Sequence, residues 1–252
     1  PGLRMLRSVA TGGVEGVAAL EDEALWFFGQ KKWDLSGQIY TAMARKATDS
    51  RDRGRARLGL GRNLRNAGRI PEMEKTYGDL RSDSTSGESA ARAGWELARE
   101  YKALARFDDC DTALTLYIER FPYGEDILNA LRLRGIVRMI ARKPGSAVPD
   151  FEELRRRADR TSEKEEAGYW IARAALARGD SSAATAALRA ALTHDLPDGL
   201  YGYRVRNLLA TLSPSDTTAY WFPTPAFDPD RNELQPPGLP DIPLRPQTHF
   251  RR

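Results

Sequence analysis

The sequence predicts an all-α fold in which helix pairs stack into a right-handed α-superhelix, an α-α solenoid, followed by an extended proline-rich tail. Two observations indicate the solenoid: short turns recur at one fixed spacing, and helical apolar patterns flank each turn. An abrupt rise in proline content after residue 212 sets off the tail. With 252 residues, of which 41% are hydrophobic, the chain can bury a sizeable core.

Four short turn signals are centred on Gly68, Ala105, Arg142 and Gly179, each 37 residues after the last. One further step back reaches Lys31. This period is slightly longer than the 34-residue tetratricopeptide repeat, so we expect tetratricopeptide-like helix pairs. Because one pair cannot bury its own apolar face, the pairs must stack, and a stack of this kind offers a concave binding wall.

The signals around each turn are those of helix ends. Gly179 is a natural helix stop, and Asp180 can cap the helix that follows. Pro71 suits the first turn of a second helix. Two Ser/Thr-x-x-Glu patterns predict capping boxes at the start of first helices: Thr85 with Glu88, and Ser162 with Glu165.

Aromatic residues recur at the same period. Tyr40 and Tyr77 lie 37 residues apart, each deep in the second helix of its unit, where a ring can fill the groove between neighbouring pairs. Trp170 lies on the apolar face of a first helix and is expected to be buried between helices.

Proline separates the chain into two predicted parts. Residues 213–252 hold nine prolines, a density that excludes helix and sheet interiors. We therefore predict a repeat superhelix over residues 1–212 and an extended tail or linker over residues 213–252.

Composition excludes several classes of protein. The single cysteine, Cys110, rules out an internal disulfide framework and any cysteine-rich metal site. No apolar run approaches the roughly 20 residues that span a bilayer, so no transmembrane segment is expected. The 39 basic and 35 acidic residues are interleaved, and a net charge of +4 argues against a nucleic-acid partner.

No motif predicts a catalytic, cofactor or metal site. The acids around Cys110 (Asp108, Asp109 and Asp111) are expected to open a helix. A calcium-loop pattern beginning at Asp228 fails at positions six and twelve, and Gly59-x-Gly61 lacks the context of a nucleotide loop. The two histidines, His194 and His249, have no partners in sequence for a nucleophilic triad.

Two arginine-rich runs are expected to be solvated or salt-bridged helix faces, because acids lie beside them. A groove facing an anionic wall polymer would use the same residues, so both alternatives stay open. The runs are Arg51, Arg53, Arg55 and Arg57, and Arg155, Arg156, Arg157 and Arg160.

The fifth unit carries a more specific pattern: Tyr169-Trp170-Ile171-Ala172-Arg173 in one helix, a Gly179-Asp180 turn, and Tyr201-Gly202 in the next helix. Over residues 165–212 this pattern resembles the superhelical N-terminal region of soluble lytic transglycosylases. The resemblance implies a bacterial protein of the periplasm or cell envelope that acts on peptidoglycan. The catalytic domain of that family uses a Glu-Ser motif followed by Gly-Leu-Met-Gln.

The resemblance does not extend to that catalytic domain. Glu88-Ser89 matches the first motif, but Gly-Leu-Met-Gln is absent, and Glu88 lies in a predicted repeat helix. This chain is therefore expected to be a non-catalytic region that positions substrate or a partner. The parent protein that contains it would be a peptidoglycan lytic transglycosylase or a relative without the catalytic domain. The alternative is a stand-alone tetratricopeptide scaffold for protein–protein interaction.

The concave groove is the expected binding site, for peptidoglycan in the first interpretation and for a protein or peptide in the second. First helices usually line the concave side of such arrays. The candidate binding residues are therefore Trp95, Arg99, Tyr169 and Arg173. For each aromatic residue a place in the core is the competing interpretation.

Replacing Trp170 with alanine tests the stacking prediction. If the ring is buried between helices, Trp170→Ala should lower the free energy of unfolding by about 3–5 kcal/mol, because the cavity it leaves cannot close fully. Urea denaturation followed by circular dichroism measures this loss. An unchanged free energy of unfolding would contradict the placement.

Overall fold

The structure is a computed structural model that describes residues 14–192 and 199–214. Within these ranges it contains eleven helices and no strands, which confirms the predicted all-α class. The helices are α1 (Val14–Gly29), α2 (Trp33–Lys46), α3 (Ser50–Asn66), α4 (Ile70–Ser82), α5 (Gly87–Ala103), α6 (Phe107–Arg120), α7 (Ile127–Ile140), α8 (Pro144–Arg157), α9 (Thr161–Ala177), α10 (Ser181–Ala191) and α11 (Gly199–Leu212).

The chain divides into two compact units, Pro1–Gly124 and Glu125–Arg252. In the described ranges the first unit holds the pairs α1/α2, α3/α4 and α5/α6, and the second holds α7/α8, α9/α10 and the single helix α11. Residues 215–252, most of the predicted tail, lie outside the described residues. The division between a repeat region and a tail at residue 212 stays a prediction.

Each pair closes through the same left-handed turn. The backbone φ angle is positive at all five positions of the 37-residue series, with values of 58°, 73°, 55°, 57° and 80° at Lys31, Gly68, Ala105, Arg142 and Gly179. The N–H of the next residue donates to a carbonyl five residues back, as from Arg69 to Leu64 at 2.9 Å. This is the Schellman arrangement that terminates a helix. The predicted period is confirmed.

Two of the predicted helix starts are confirmed. The Asp180 carboxylate accepts from the backbone N–H of Ala183 at 2.8 Å and so caps α10. Pro71 lies in the first turn of α4. Backbone N–H groups of the first turn have no acceptor within the helix, so proline, which lacks an N–H, loses no hydrogen bond there.

The two predicted capping boxes are wrong. At the start of α5, the Thr85 hydroxyl donates to Asp83 at 2.7 Å, and no side chain caps the helix. The carboxylate of Asp83 is the stronger local acceptor, so it takes both the hydroxyl and the backbone N–H of Thr85. At the start of α9, the helix already begins at Thr161, which places Ser162 inside its first turn.

The two helices of a pair approach closely through small residues. Ser36 Oγ donates to the Ala24 carbonyl at 2.8 Å, and Cys110 Sγ donates to the Ala98 carbonyl at 3.2 Å, at equivalent repeat positions. Each position of this contact is buried in every pair. The first helices contribute Ala24, Gly61, Ala98, Gly135 and Ala172, and the second contribute Ser36, Met73, Cys110, Ala147 and Ala184.

Glycine is required where the facing residue is an aromatic ring. A Cβ atom at Gly61 would lie 2.1 Å from Cε1 of Tyr77, and one at Gly135 would lie 2.6 Å from Cε1 of Phe151. Both distances are shorter than any real Cβ contact. The ring and the glycine therefore form one packing unit in α3/α4 and again in α7/α8.

The aromatic residues expected in the core are buried. Tyr40 is 5% exposed and Tyr77 is fully buried, which confirms their predicted places in second helices. Trp170 is 8% exposed, and its ring stacks on Phe151 with a centroid distance of 5.9 Å and an interplanar angle of 13°. The predicted burial of Trp170 between helices is confirmed.

An ionic cluster lies beside the apolar contact of the α7/α8 pair. Asp150 is 1% exposed and accepts from Arg134 Nη2 at 2.6 Å and from Arg138 Nη1 at 3.0 Å. The positions equivalent to Arg134 in the pairs on either side carry Leu97 and Ile171. Removing one member would leave a buried charge without its partner, which is costly.

Paired glycine substitutions test the close approach. Gly61→Ala should lower the free energy of unfolding by about 1–3 kcal/mol, because the added methyl group forces the Tyr77 ring to move. Gly78, in α4, has no atom within 4 Å of the position that a Cβ would take. Gly78→Ala should therefore raise the free energy of unfolding by about 0.5–1 kcal/mol through helix propensity.

Urea denaturation of both variants gives the comparison. Effects of the same sign and size would show that Gly61 serves only as a flexible helix residue, and the packing interpretation would then fail.

Candidate functional site

The first helices of the first unit form a row, because α3 contacts both α1 and α5. Leu25, Arg62 and Arg99 occupy equivalent positions 37 residues apart on these three helices. Leu25 is 52% exposed, Arg62 is exposed, and the side chain of Arg99 is 53% exposed. We call these three residues the inner stripe. It is an apolar side chain followed by two guanidinium groups.

A buried carboxylate organises the arginines beside this stripe. Glu96 is 5% exposed and lies on α5. Its oxygens lie 3.5 Å from Arg65 Nη1, 3.4 Å from Arg92 Nε and 3.4 Å from Arg99 Nη1. Arg65 belongs to α3, so Glu96 ties two neighbouring first helices together. One negative charge here faces three guanidinium groups.

The structure separates the two predicted binding residues of α5. Trp95 is only 9% exposed, and its ring centroid lies 6.4 Å from that of Tyr117. Trp95 is therefore mainly a core residue. Arg99 reaches the surface in the inner stripe. Their predicted contact with a ligand stays a prediction, and the surface position of Arg99 is compatible with it.

The other two predicted residues belong to an internal cluster of the second unit. Tyr169 is 4% exposed, and its hydroxyl accepts from Arg173 Nη1 at 2.8 Å. Its ring centroid lies 5.8 Å from that of Tyr201 and 5.8 Å from the Arg204 guanidinium carbon. Burial raises the pKa of Tyr201 to about 12, so this phenol stays protonated. Here too a role in binding stays a prediction.

Sequence reasoning missed Arg62, Arg65 and Glu96. A signal for Arg62 was present, because it lies one 37-residue step before Arg99. The signal for Glu96 was absent, because nothing in a helix pattern shows that one acid of several is buried among arginines.

A cleft lies between α2 and α4, with α3 as its floor. Its volume is about 660 Å³. Gly37 opens it, since the equivalent residues in the next two pairs are Glu74 and Asp111. Asn63, 2% exposed, donates to the Gly59 carbonyl at 2.8 Å, and its Oδ1 has no hydrogen-bond partner among the described residues. The lining residues also include Trp33, Asp34, Gln38, Thr41, Leu60, Leu64, Ala67, Arg69, Glu72, Lys75 and Thr76.

The acids around Cys110 are structural. Asp108 and Asp109 lie in the first turn of α6, as predicted, and Asp109 accepts from Arg106 at 2.7 Å. Burial raises the pKa of the Cys110 thiol to about 12, and the residue is fully buried, so it is a poor nucleophile. In the described ranges no group of histidine, cysteine or acidic residues is placed to hold a metal ion.

Other sequence motifs have structural places. Gly59 and Gly61 lie in the middle of α3 against the Tyr40 and Tyr77 rings, far from the geometry of a phosphate loop. Glu88 is an exposed residue of the first turn of α5. The two histidines and the calcium-like pattern from Asp228 lie outside the described residues.

Two of the four arginines in each arginine-rich run are salt-bridged. Arg55 Nη1 lies 3.2 Å from Glu21, and Arg57 Nη1 lies 3.2 Å from Asp83. In the second run, Arg156 and Arg157 share Glu153 at 2.6 and 2.5 Å. These hydrogen bonds, from Arg156 first, lower the pKa of Glu153 to about 2.

These features define an all-α protein of tetratricopeptide-like helix pairs. Known structures agree: a tetratricopeptide repeat protein from Parabacteroides merdae ATCC 43184 is 16% identical, with a TM-score of 0.53 over 81% of this chain and 75% of that one. Repeats of a putative kinesin light chain from Podosopora anserina are 14% identical, with a TM-score of 0.51 over 79% of this chain and 97% of that one. Such identities show the fold alone.

Comparison by sequence adds no further assignment. No family model matches the chain, and no curated protein matches it. The predicted relation to lytic transglycosylases is therefore without support from these comparisons. Among the described residues, no helix is long and apolar enough to span a membrane.

The Asp83 carboxylate gives a prediction of pH dependence. Hydrogen bonds from the Thr85 side chain and backbone and from Ser86 lower its pKa to about 2, with a smaller contribution from Arg57. An unfolded aspartate titrates near pH 3.9. The stabilisation by Asp83 is thus complete above about pH 4 and is lost as the pH falls toward 2. Asp83→Asn should lower the melting temperature at pH 6 more than at pH 2.5.

Thermal melts by circular dichroism at both pH values measure this difference. Asp79→Asn is the matched control, because Asp79 is an exposed acid of the neighbouring helix α4. A deficit of Asp83→Asn that is equal at both pH values would contradict the assignment.

Proposed function

We propose that the protein is a non-catalytic scaffold that binds a segment of another protein along the first helices of its first unit. The observation that carries this proposal is the inner stripe, Leu25, Arg62 and Arg99. It presents one large apolar and two charged side chains at matching positions on three adjacent helices. A repeat surface of this kind can contact an extended chain at regular intervals.

The chemistry of the described residues also supports binding over catalysis. The lone thiol is buried, and the exposed Glu88 has no second carboxylate nearby on its own turn. Two arginines of each basic run are already paired with acids, as Arg55 is with Glu21. The surface therefore has the shape and the unpaired charge by which a protein recognises a partner.

A cell-wall role remains a second, weaker proposal. It rests on the Tyr-Trp-x-Ala-Arg helix at residues 169–173 and the Tyr-Gly pair at 201–202, which resemble the lytic-transglycosylase region. Within that proposal the protein would lie in the periplasm or cell envelope and would position peptidoglycan. Tyr169 and Arg173 are occupied with one another, so the structure offers no observation that favours glycan there.

Selection from a library of random 12-residue peptides tests the scaffold proposal. Peptides enriched on the full chain should bind the Leu25→Ser/Arg62→Ala/Arg99→Ala variant at least tenfold more weakly, since the variant removes the whole inner stripe. Arg178→Ala is the matched control, an exposed arginine at a turn of the second unit. Fluorescence anisotropy gives the affinities.

Co-sedimentation with purified peptidoglycan sacculi separates the two proposals. Peptide binding that depends on the inner stripe, without sedimentation, supports the scaffold. If the protein sediments with the sacculi, and if no selected peptide depends on the inner stripe for binding, the scaffold proposal is overturned in favour of the cell-wall role.

A further inference from the structure

We propose that the segment bound by the inner stripe is acidic, and that its carboxylates lie between Arg62 and Arg99. This inference rests on the proposed scaffold function and names the chemistry of its partner. It follows from the balance of charge around Glu96.

The arginines beside Glu96 carry more positive charge than the acids around them neutralise. Arg65 and Arg99 both have Glu96 as their only carboxylate partner in the described part of the chain. Arg62 has no carboxylate within ion-pair distance in that same part. Arg65, Arg92 and Arg99 thus share Glu96, and Glu100 is a second acid that acts electrostatically on Tyr77 together with Arg62 and Arg65. Four guanidinium groups against two carboxylates leave an excess of positive charge, which the carboxylates of a bound segment would offset.

Glu96 also prepares these arginines for a ligand. Because it is 5% exposed and fixed on α5, it holds Arg65 and Arg99 near one another before anything binds. Ordered guanidinium groups lose less side-chain entropy on binding a carboxylate than mobile ones do. Arg62 lies three residues before Arg65 on α3, so it borders the same place.

The size of the patch favours a protein segment over a nucleic acid. A phosphate backbone carries a negative charge every few ångströms. Proteins bind it with long rows of lysine and arginine side chains that have no acidic partner. On α3 the preceding arginines Arg55 and Arg57 are paired with Glu21, Asp52 and Asp83, which interrupts the row of arginines between Arg53 and Arg62. The third residue of the inner stripe is the apolar Leu25, not another basic residue.

The stripe predicts the spacing of the segment. Packed helices lie about 8–10 Å apart, and an extended chain covers about 3.3 Å per residue. A leucine-like side chain against Leu25 is therefore followed by acidic side chains about three residues along, at Arg62, and about six along, at Arg99.

An array of synthetic 12-residue peptides tests the inference on the full chain. Each peptide carries one leucine and two aspartates at separations of two to eight residues, and each has a twin with asparagine in place of aspartate. The aspartate series should bind at least tenfold more tightly than its twins in 50 mM salt, with the optimum near three and six residues. Raising the salt to 200 mM should weaken binding several-fold, because the sites are exposed.

Charge exchange provides the control for folding. Arg62→Glu/Arg99→Glu should bind the aspartate peptides at least tenfold more weakly and should gain affinity for the same peptides with lysine in place of aspartate. Arg178→Glu should change neither. Gain of binding to the lysine series cannot come from a misfolded protein.

Three results would overturn the inference. Equal affinity for the aspartate and asparagine series would show that charge is not recognised. An unchanged affinity in the exchange variant would place the acidic site elsewhere. Stronger competition by a 12-nucleotide single strand than by the best acidic peptide would favour nucleic acid. If selected uncharged peptides still require the inner stripe, the scaffold proposal stands while this inference fails.

Discussion

The left-handed turn at every thirty-seventh residue is the constraint on which the rest of the structure depends. A positive φ angle at Gly68 and its four equivalents ends one helix, and the residue directly after it is the N-cap of the next helix. This turn sets the two helices of a pair side by side at a fixed register. The register brings small residues such as Ala98 opposite Cys110 in the same way each time. At Lys31, Ala105 and Arg142 the chain keeps this turn without glycine, at a cost of about 1–2 kcal/mol each.

Regularity explains what could be predicted from the sequence. The 37-residue period and the apolar pattern predict the turn positions, the helix pairing and the burial of Tyr77 and Trp170. They do so because the same pattern recurs in each repeat. The capping boxes failed because a local competitor, Asp83, took the Thr85 hydroxyl. The division into two units at Gly124 was also not predicted, because contact density between repeats leaves no mark in a helical pattern.

The candidate site could be predicted only in part. Arg99 and Trp95 were both chosen because first helices of such arrays usually carry the binding face; Arg99 lies at the surface, whereas Trp95 is mostly a core residue. Exposure depends on which neighbour covers a side chain, and for Trp95 one such neighbour is Tyr117 on the paired helix α6. The charge balance at Glu96 depends on three arginines from two helices. Only the three-dimensional arrangement distinguishes it from the salt-bridged runs at Arg55 and Arg156.

The buried ions of the α7/α8 pair limit how the array can change in evolution or in the laboratory. Repeat proteins lengthen and shorten by duplicating or deleting whole units. Asp150 on α8 is matched to two arginines on α7, so neither helix can be recombined with a helix from another pair without stranding a charge. Recombination across this chain should therefore keep residues 127–157 together as one inherited block.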